Sequence, residues 1–427
     1  MNNNSVEQTT STTYANVLKA LSYAEAHSPF YQKKWAEIGF NCADFKSLED
    51  LAKLPLTSKD DLQKNNDAFL CVEALKIIDY SSTSGTLGKP VSFPISQNDL
   101  ERLALNEYMS LKSTGVTPET KILLTTTLDK QFMAGLAYFL GAQKLGAAVI
   151  RSGPGLPAMK WDTIFQLQPD YMIAVPSFVI KMISYAKVNG IDFQKSSIKK
   201  ILCIGEPIRN SDFSFNVLGQ RITEQWDVQL FSTYASTEKG TAFTECSAGK
   251  GGHVFEELIY VEIVDEEGKV LPFGQEGEVV VTTLGVEAMP IVRYKTGDIA
   301  VLHNEACTCG YNTPRLSPIL GRKQQMIKYK GTTIFPQAVF EVLNNALFIA
   351  DYYLKVDKDE LEMDNLTVYV CTHIDLELAK KQLVELFKSS IRVTPQIIFQ
   401  SEEEIAKVKY KSENRKPLIF LDNRTKS

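Results

Sequence analysis

The sequence predicts an α/β protein, with a large N-terminal domain of helix-covered sheets over residues 1–321 and a small C-terminal α+β domain over residues 322–427. Three observations carry that expectation. Between 121 and 205, short apolar runs (121–125, 147–150, 171–174 and 200–204) alternate with longer helical patterns, as in a largely parallel sheet covered by helices. Between 258 and 302 the texture changes to short strands (258–264 and 277–283) joined by turns at 265–268 and 272–277, which reads as antiparallel. After Gly321 the pattern resets, and the remaining stretch of about 100 residues is long enough for its own core.

The elements follow in order. Residues 14–80 read as helices and turns punctuated by Pro29 and Pro55, with Ser58 placed to open a short polar helix. The parallel region comes next, and nucleotides favour the carboxyl ends of such strands. Beyond Gly321 the sequence predicts a strand pair over 327–334, a helix from Pro336, strands at 352–356 and 366–371, a helix after Asp375, and a strand at 396–399. In the later helix Leu376, Ala379, Leu383 and Leu386 recur at helical spacing, with Asp375 as the N-cap.

Composition bounds the function. With 427 residues, 44% apolar and 23% charged, the chain is neither a disulfide-stapled module nor a disordered or fibrous protein. A net charge of −5 gives no electrostatic support for nucleic-acid or membrane binding, so neither partner is expected. The opening stretch carries no signal-peptide pattern and no run approaches about 18 apolar residues, so a cytoplasmic protein is expected. Seven cysteines, an odd number, argue against a disulfide framework.

Residues 81–90, Ser-Ser-Thr-Ser-Gly-Thr-Leu-Gly-Lys-Pro, concentrate hydroxyls, two glycines and a lysine. Glycines let backbone N–H groups turn inward, the hydroxyls donate, and Lys89 adds charge, so Ser84, Gly85, Thr86, Gly88 and Lys89 are suited to phosphate. The spacing differs from that of the P-loop NTPases, which removes support for a kinase or GTPase.

This loop resembles the Ser/Thr/Gly-rich signature of the adenylate-forming acyl-coenzyme A synthetases, and in particular of the phenylacetate–coenzyme A ligases. Further matches follow in the family's order: Gly205-Glu206-Pro207 resembles its adenine-side turn, Tyr234-Ala235-Ser236-Thr237-Glu238 its aromatic-x-x-Thr-Glu motif, and 293–298 its Tyr-x-Thr-Gly-Asp motif. Gly321-Arg322 with 327–331 resembles the hinge region, and 415–424 the C-terminal lysine motif. The segments 29–31 and 54–59 also resemble this group, so the likeness spans nearly the whole chain. Two positions depart from it: Gln324 stands where the family usually carries Asp or Lys, and Leu87 where it usually shows Thr.

The resemblance implies an ATP-dependent acid–thiol ligase that activates a carboxylic acid, an aryl one such as phenylacetate, as acyl-AMP and passes it to coenzyme A. A carrier-protein pantetheine is the alternative acceptor. Activation brings a carboxylate against the α-phosphorus, so negative charge must be neutralised and aligned. The resemblance assigns Glu238 to Mg²⁺, a hard cation that prefers carboxylate oxygen, Thr237 to the α-phosphate, Asp298 to the ribose hydroxyls, Tyr234 to adenine, Arg322 to ribose or phosphate, and Lys416 to charge stabilisation during adenylation. It places the acid among 132–138, Ile204, Tyr234 and Ala235, and it implies a homodimer. Read from the residues alone, Thr237-Glu238 is more readily a helix start, and a solvated turn aspartate is the commonest alternative for Asp298.

Independently of the resemblance, Cys246, His253, Cys307 and Cys309 form a Cys₃His set able to complete a tetrahedral Zn²⁺ shell, with His303 as an alternative fourth ligand. A full shell leaves no open coordination position, which makes the metal structural and counts against a zinc hydrolase. A noncatalytic nucleotide-binding homologue is the third reading; the joint presence of Lys416, Glu238 and Asp298 argues against it.

Overall fold

The computed structural model describes residues 3–83, 90–330, 332–360, 363–410 and 418–424. The chain divides into two compact units, Met1–Ile319 and Leu320–Ser427.

The first unit is built on a six-stranded sheet with the order Ala148–Arg151, Lys121–Leu124, Tyr171–Ala174, Lys200–Cys203, Gln229–Ser236 and Thr241–Thr244. Its first five strands are parallel and the last is antiparallel. Successive side chains of a strand face opposite sides, and the packing follows that alternation. Ile122, Leu124, Ile173 and Leu202 pack with Leu111, Tyr138 and Ala142 of the helices Gln97–Ser113 and Met133–Leu145. Leu123, Met172, Ile201 and Cys203 pack on the other face with Trp161, Val179, Met182 and Ile222. Helices cover both faces, as the alternating pattern implies.

A second sheet is antiparallel, with Ile259–Val264, Glu276–Thr283 and Tyr294–His303 at its centre. Its apolar face buries Val17, Leu21, Tyr31, Trp35 and Phe69 from the N-terminal segment. Ser58 opens the short helix Lys59–Lys64 as expected, in a reciprocal capping box with Asp61. A hairpin of Ile77–Ser82 with Ser92–Ser96 is not apparent in the sequence reading.

The second unit has a four-stranded sheet ordered Gln396–Phe399, Asp364–Thr372, Ile349–Lys358, Phe420–Asp422, packed with the helices Pro336–Asn345 and Leu376–Ile391. Asp375 caps the later helix through the N–H groups of Glu377 and Leu378. The apolar face is shifted from expectation: Ala379, Leu383 and Phe387 are buried, whereas Leu376 at the first turn is exposed. Among the described residues no helix is long and apolar enough to cross a membrane.

Candidate nucleotide site and metal cluster

The site grows from the carboxyl ends of the parallel strands. After Lys200–Cys203 the chain turns at Gly205, whose φ of +76° lies in the left-handed region that glycine tolerates without strain. The turn presents Glu206 and Pro207. Glu206 is held by two donors from the neighbouring crossover: the Ser177 N–H and the Ser177 hydroxyl each lie 2.9 Å from its carboxylate. Ser177 lies in the first turn of the helix Pro176–Val188, just after the strand Tyr171–Ala174, a position that could have marked it in the sequence.

The next strand, Gln229–Ser236, carries Tyr234, Ala235 and Ser236, which pair with Phe243, Ala242 and Thr241 of the returning strand. Thr237 and Glu238 lie in the connecting turn, closed by Gly240 N–H donating to the Thr237 carbonyl at 3.2 Å. The helix-start alternative is therefore not what forms; an antiparallel hairpin replaces it. Arg102, buried on the helix Gln97–Ser113, clamps this turn. Its guanidinium donates to the carbonyls of Gly240 at 2.8 Å and Leu284 at 2.6 Å, to the Thr241 hydroxyl at 2.9 Å, and to the Leu258 carbonyl. Burial draws the Arg102 pKa down to about 10, still far above neutrality, so the clamp stays charged. Beside Thr237 and Glu238 lies a recess of about 50 Å³ walled by Phe93, Arg102, Met133 and Met289.

Asp298 arrives from the second sheet. Gly297, with φ +76°, turns the strand Tyr294–His303, and Asp298 N–H donates to the Thr296 hydroxyl at 3.1 Å. Asp298 is buried and accepts the Tyr234 hydroxyl at 2.5 Å. Two motifs 64 residues apart thus meet at one hydrogen bond. Tyr138, from the segment expected to line the acid pocket, is buried.

Thr83 N–H donates to the Val91 carbonyl at 3.0 Å and Val91 N–H to the Thr83 hydroxyl at 2.9 Å. Ser84, Gly85, Thr86, Gly88 and Lys89 lie outside the described residues, as does Lys416. Arg322 is exposed on its short strand in the second unit.

The four residues singled out for metal do converge. One ligand atom from each of Cys246, His253, Cys307 and Cys309 lies within 4.8 Å of all the others. Cys246 Sγ is 3.6 Å from Cys307 Sγ, and Cys309 Sγ is 3.3 Å from His253 Nε2. Burial, reinforced by Arg315, lowers the His253 pKa to about 4, so the ring is neutral and a lone pair is available. Thr313, not flagged by the sequence, holds His253 Nδ1 at 2.9 Å, the kind of outer contact that orients a ligating imidazole. Burial pushes the Cys246 thiol up to about 12. His303 lies elsewhere, with Nδ1 3.7 Å from Glu305 and its ring against Phe213, which decides between the two histidines. Donor types, neutrality and outer contact all fit a tetrahedral Zn²⁺.

A family profile described as AMP-binding enzyme matches residues 41–288. The phenylacetate-coenzyme A ligase of Aromatoleum evansii is 31% identical over 358 residues, covering 82% of this chain and 79% of that protein. The ligase of the same name from Pseudomonas putida is 29% identical over 398 residues, covering 90% and 88%. Among solved structures, a 2-hydroxyisobutyryl-CoA ligase in the postadenylation state superposes with a TM-score of 0.83 at 23% identity, covering 96% of this chain and 89% of that one. From the match over residues 41–288, and the likeness to the ligases over more than four fifths of the chain, the protein belongs to the AMP-binding enzyme family, in its phenylacetate–coenzyme A ligase group.

Proposed function

We propose that this protein activates an aryl carboxylic acid with ATP, forming an acyl-AMP and pyrophosphate, and then transfers the acyl group to the thiol of coenzyme A. The observation that carries the reading is the hydrogen bond from Tyr234 to the buried Asp298. It joins a flat aromatic face suited to a purine with a carboxylate suited to vicinal hydroxyls, at the strand ends where nucleotides favour binding.

Around that pair the roles are assigned residue by residue. Gly205, Glu206 and Pro207 border the adenine, with Glu206 fixed by Ser177. Tyr234, Ala235 and Ser236 form the wall that the purine meets. Thr237 donates to the α-phosphate, and Glu238 is the carboxylate that would hold Mg²⁺, which supplies charge neutralisation when bound. The loop 84–89 contacts the outer phosphates through its hydroxyls, backbone N–H groups and Lys89. Lys416, carried by the small domain, meets the charge that develops between carboxylate and α-phosphorus. Arg322 contacts ribose or phosphate, and Gln324 is the pivot about which the small domain exchanges the lysine for the thiol step.

We assign Zn²⁺ to Cys246, His253, Cys307 and Cys309. Four protein donors leave no position for a substrate, so the metal holds the segment near 246 to the loop near 307 and takes no part in the chemistry. That saturation also disfavours a metallohydrolase.

Pyrophosphate release, followed across phenylacetate, other aryl acids, 2-hydroxyisobutyrate and linear aliphatic acids, tests the reading. Acid-dependent release with a thioester of coenzyme A as the second product is the expected outcome. A thioester on a carrier-protein pantetheine but not on coenzyme A would move the acceptor. Nucleotide binding without release for any acid would leave a noncatalytic homologue.

A further inference from the structure

Lys239 follows the magnesium-side glutamate in a polar hairpin turn, where a lysine ordinarily points to water. It is fully buried instead. Its Nζ lies 3.1 Å from the centroid of the Tyr234 ring and 5.4 Å from that of Phe243. Those two rings pack nearly parallel, 18° apart with centroids 5.9 Å apart. A distance of 3.1 Å places the ammonium over a face of Tyr234 and not at its edge. Taking an ammonium out of water is costly, and attraction to the electron-rich faces of aromatic rings is one contact that offsets the cost. The same ring donates its hydroxyl to Asp298.

We infer that Lys239 is a positioning residue for nucleotide recognition: its ammonium pins the Tyr234 ring and polarises the Tyr234 O–H toward Asp298, so that the purine and ribose contacts are set together. The inference rests on the adenylation reading, in which Tyr234 meets adenine. Two physical consequences support it. A face covered by an ammonium cannot receive a purine, so the base must take the face of Tyr234 turned away from Lys239, which selects one stacking side. A cation over the ring also withdraws density from the phenol and makes its O–H the stronger donor to a carboxylate. Lys239 touches neither nucleotide nor acid in this arrangement; it acts through Tyr234.

The test compares Lys239→Met, which keeps length and loses charge, with Lys239→Arg, which keeps charge. AMP affinity is measured by calorimetry, and KM for ATP, KM for the acid and kcat by pyrophosphate release. Lys239→Met is expected to weaken AMP binding and raise KM for ATP roughly tenfold, the scale of a desolvated cation–π contact, with KM for the acid unchanged. Lys239→Arg is expected to restore most of the loss. Wild-type AMP affinity in folded Lys239→Met, or an equal rise in KM for ATP and acid, overturns the inference. Tyr234→Ala separates the two levels. If it leaves AMP affinity intact, the adenine reading itself fails; if it weakens AMP while Lys239→Met does not, only the role of Lys239 fails. Should Lys239→Met not fold, Lys239→Gln takes its place in the same assays with the same expected outcome.

Discussion

Arg293 and Glu262 meet as a two-pronged ion pair inside the second sheet, with Nε 3.1 Å from Oε2 and Nη2 3.0 Å from Oε1. Both side chains are nearly sealed from solvent, at 2% and 4% exposure. The remaining Arg293 donor reaches the carbonyls of Ala52 at 3.1 Å and Leu54 at 2.6 Å, which fastens the N-terminal segment to the strand that carries Asp298. Burial raises the Glu262 pKa and the guanidinium opposes that rise, so each charge depends on its partner. Removing one partner alone strands the other: Arg293→Met is expected to cost about 3–5 kcal/mol in denaturant unfolding. Pairing it with Glu262→Leu should recover much of that loss, because no charge is then left buried alone. A single variant as stable as the parent would show that the pair does not support the fold.

Glu107 makes stability depend on pH. It is fully enclosed on the helix Gln97–Ser113, near Tyr138 and Tyr171, and burial pushes its pKa up to about 8. A folded-state value above the unfolded one means that the folded protein holds a proton the unfolded chain releases. This contribution is complete below about pH 4.5 and is lost progressively as pH rises toward 8. Glu107→Gln removes the titration while keeping shape. Its melting temperature relative to the parent should therefore rise from pH 5 to pH 8.5, and a constant difference would contradict a neutral buried Glu107.

The metal cluster predicts about one zinc per chain in purified protein. Cys307→Ser should lower the zinc content and the melting temperature together, since a structural site contributes directly to folding. His303→Ala should leave both unchanged. Zinc-free protein with an unaltered melting temperature would remove the assignment.

Much of this was legible because the signals are local. The runs at 121–125, 147–150, 171–174 and 200–204 became parallel strands, since apolar stretches between helical patterns have few other places to be buried. Cys307-x-Cys309 with Cys246 and His253 was legible through donor chemistry alone. What stayed hidden depends on topology. Nothing local tells that Tyr234 will meet Asp298, because their approach requires the order of two different sheets. Arg102 and Glu107 sit in a helix whose polar composition reads as solvated, yet the helix Met133–Leu145 and the strand Thr241–Thr244 pack against it and both side chains are buried. Lys239 is hidden for the same reason: a lysine beside a glutamate in a turn looks like surface until the aromatic rings around it are seen.

Lys416 should matter to one half-reaction only. A cation placed against the developing charge is worth about 10²–10³ in rate when it belongs to a preorganised site. Lys416→Ala is therefore expected to slow acyl-adenylate formation by that factor, while thioester formation from preformed acyl adenylate proceeds near the parent rate. Equal slowing of both half-reactions would detach Lys416 from the first step.

Tyr234→Phe isolates the hydroxyl from the ring. The substitution keeps the aromatic face over Lys239 and removes the donor to Asp298 Oδ2. A hydrogen bond to a charged group contributes about 1.5–3 kcal/mol, and on the proposed reading its loss loosens the carboxylate assigned to the ribose hydroxyls. AMP affinity should fall by roughly tenfold or more on that scale. The corresponding 2′-deoxy nucleotide already lacks one ribose hydroxyl, so it should lose much less between parent and variant. Equal losses for AMP and 2′-deoxy-AMP would mean that the hydroxyl of Tyr234 serves the base or the fold, and that Asp298 reaches the ribose without its help.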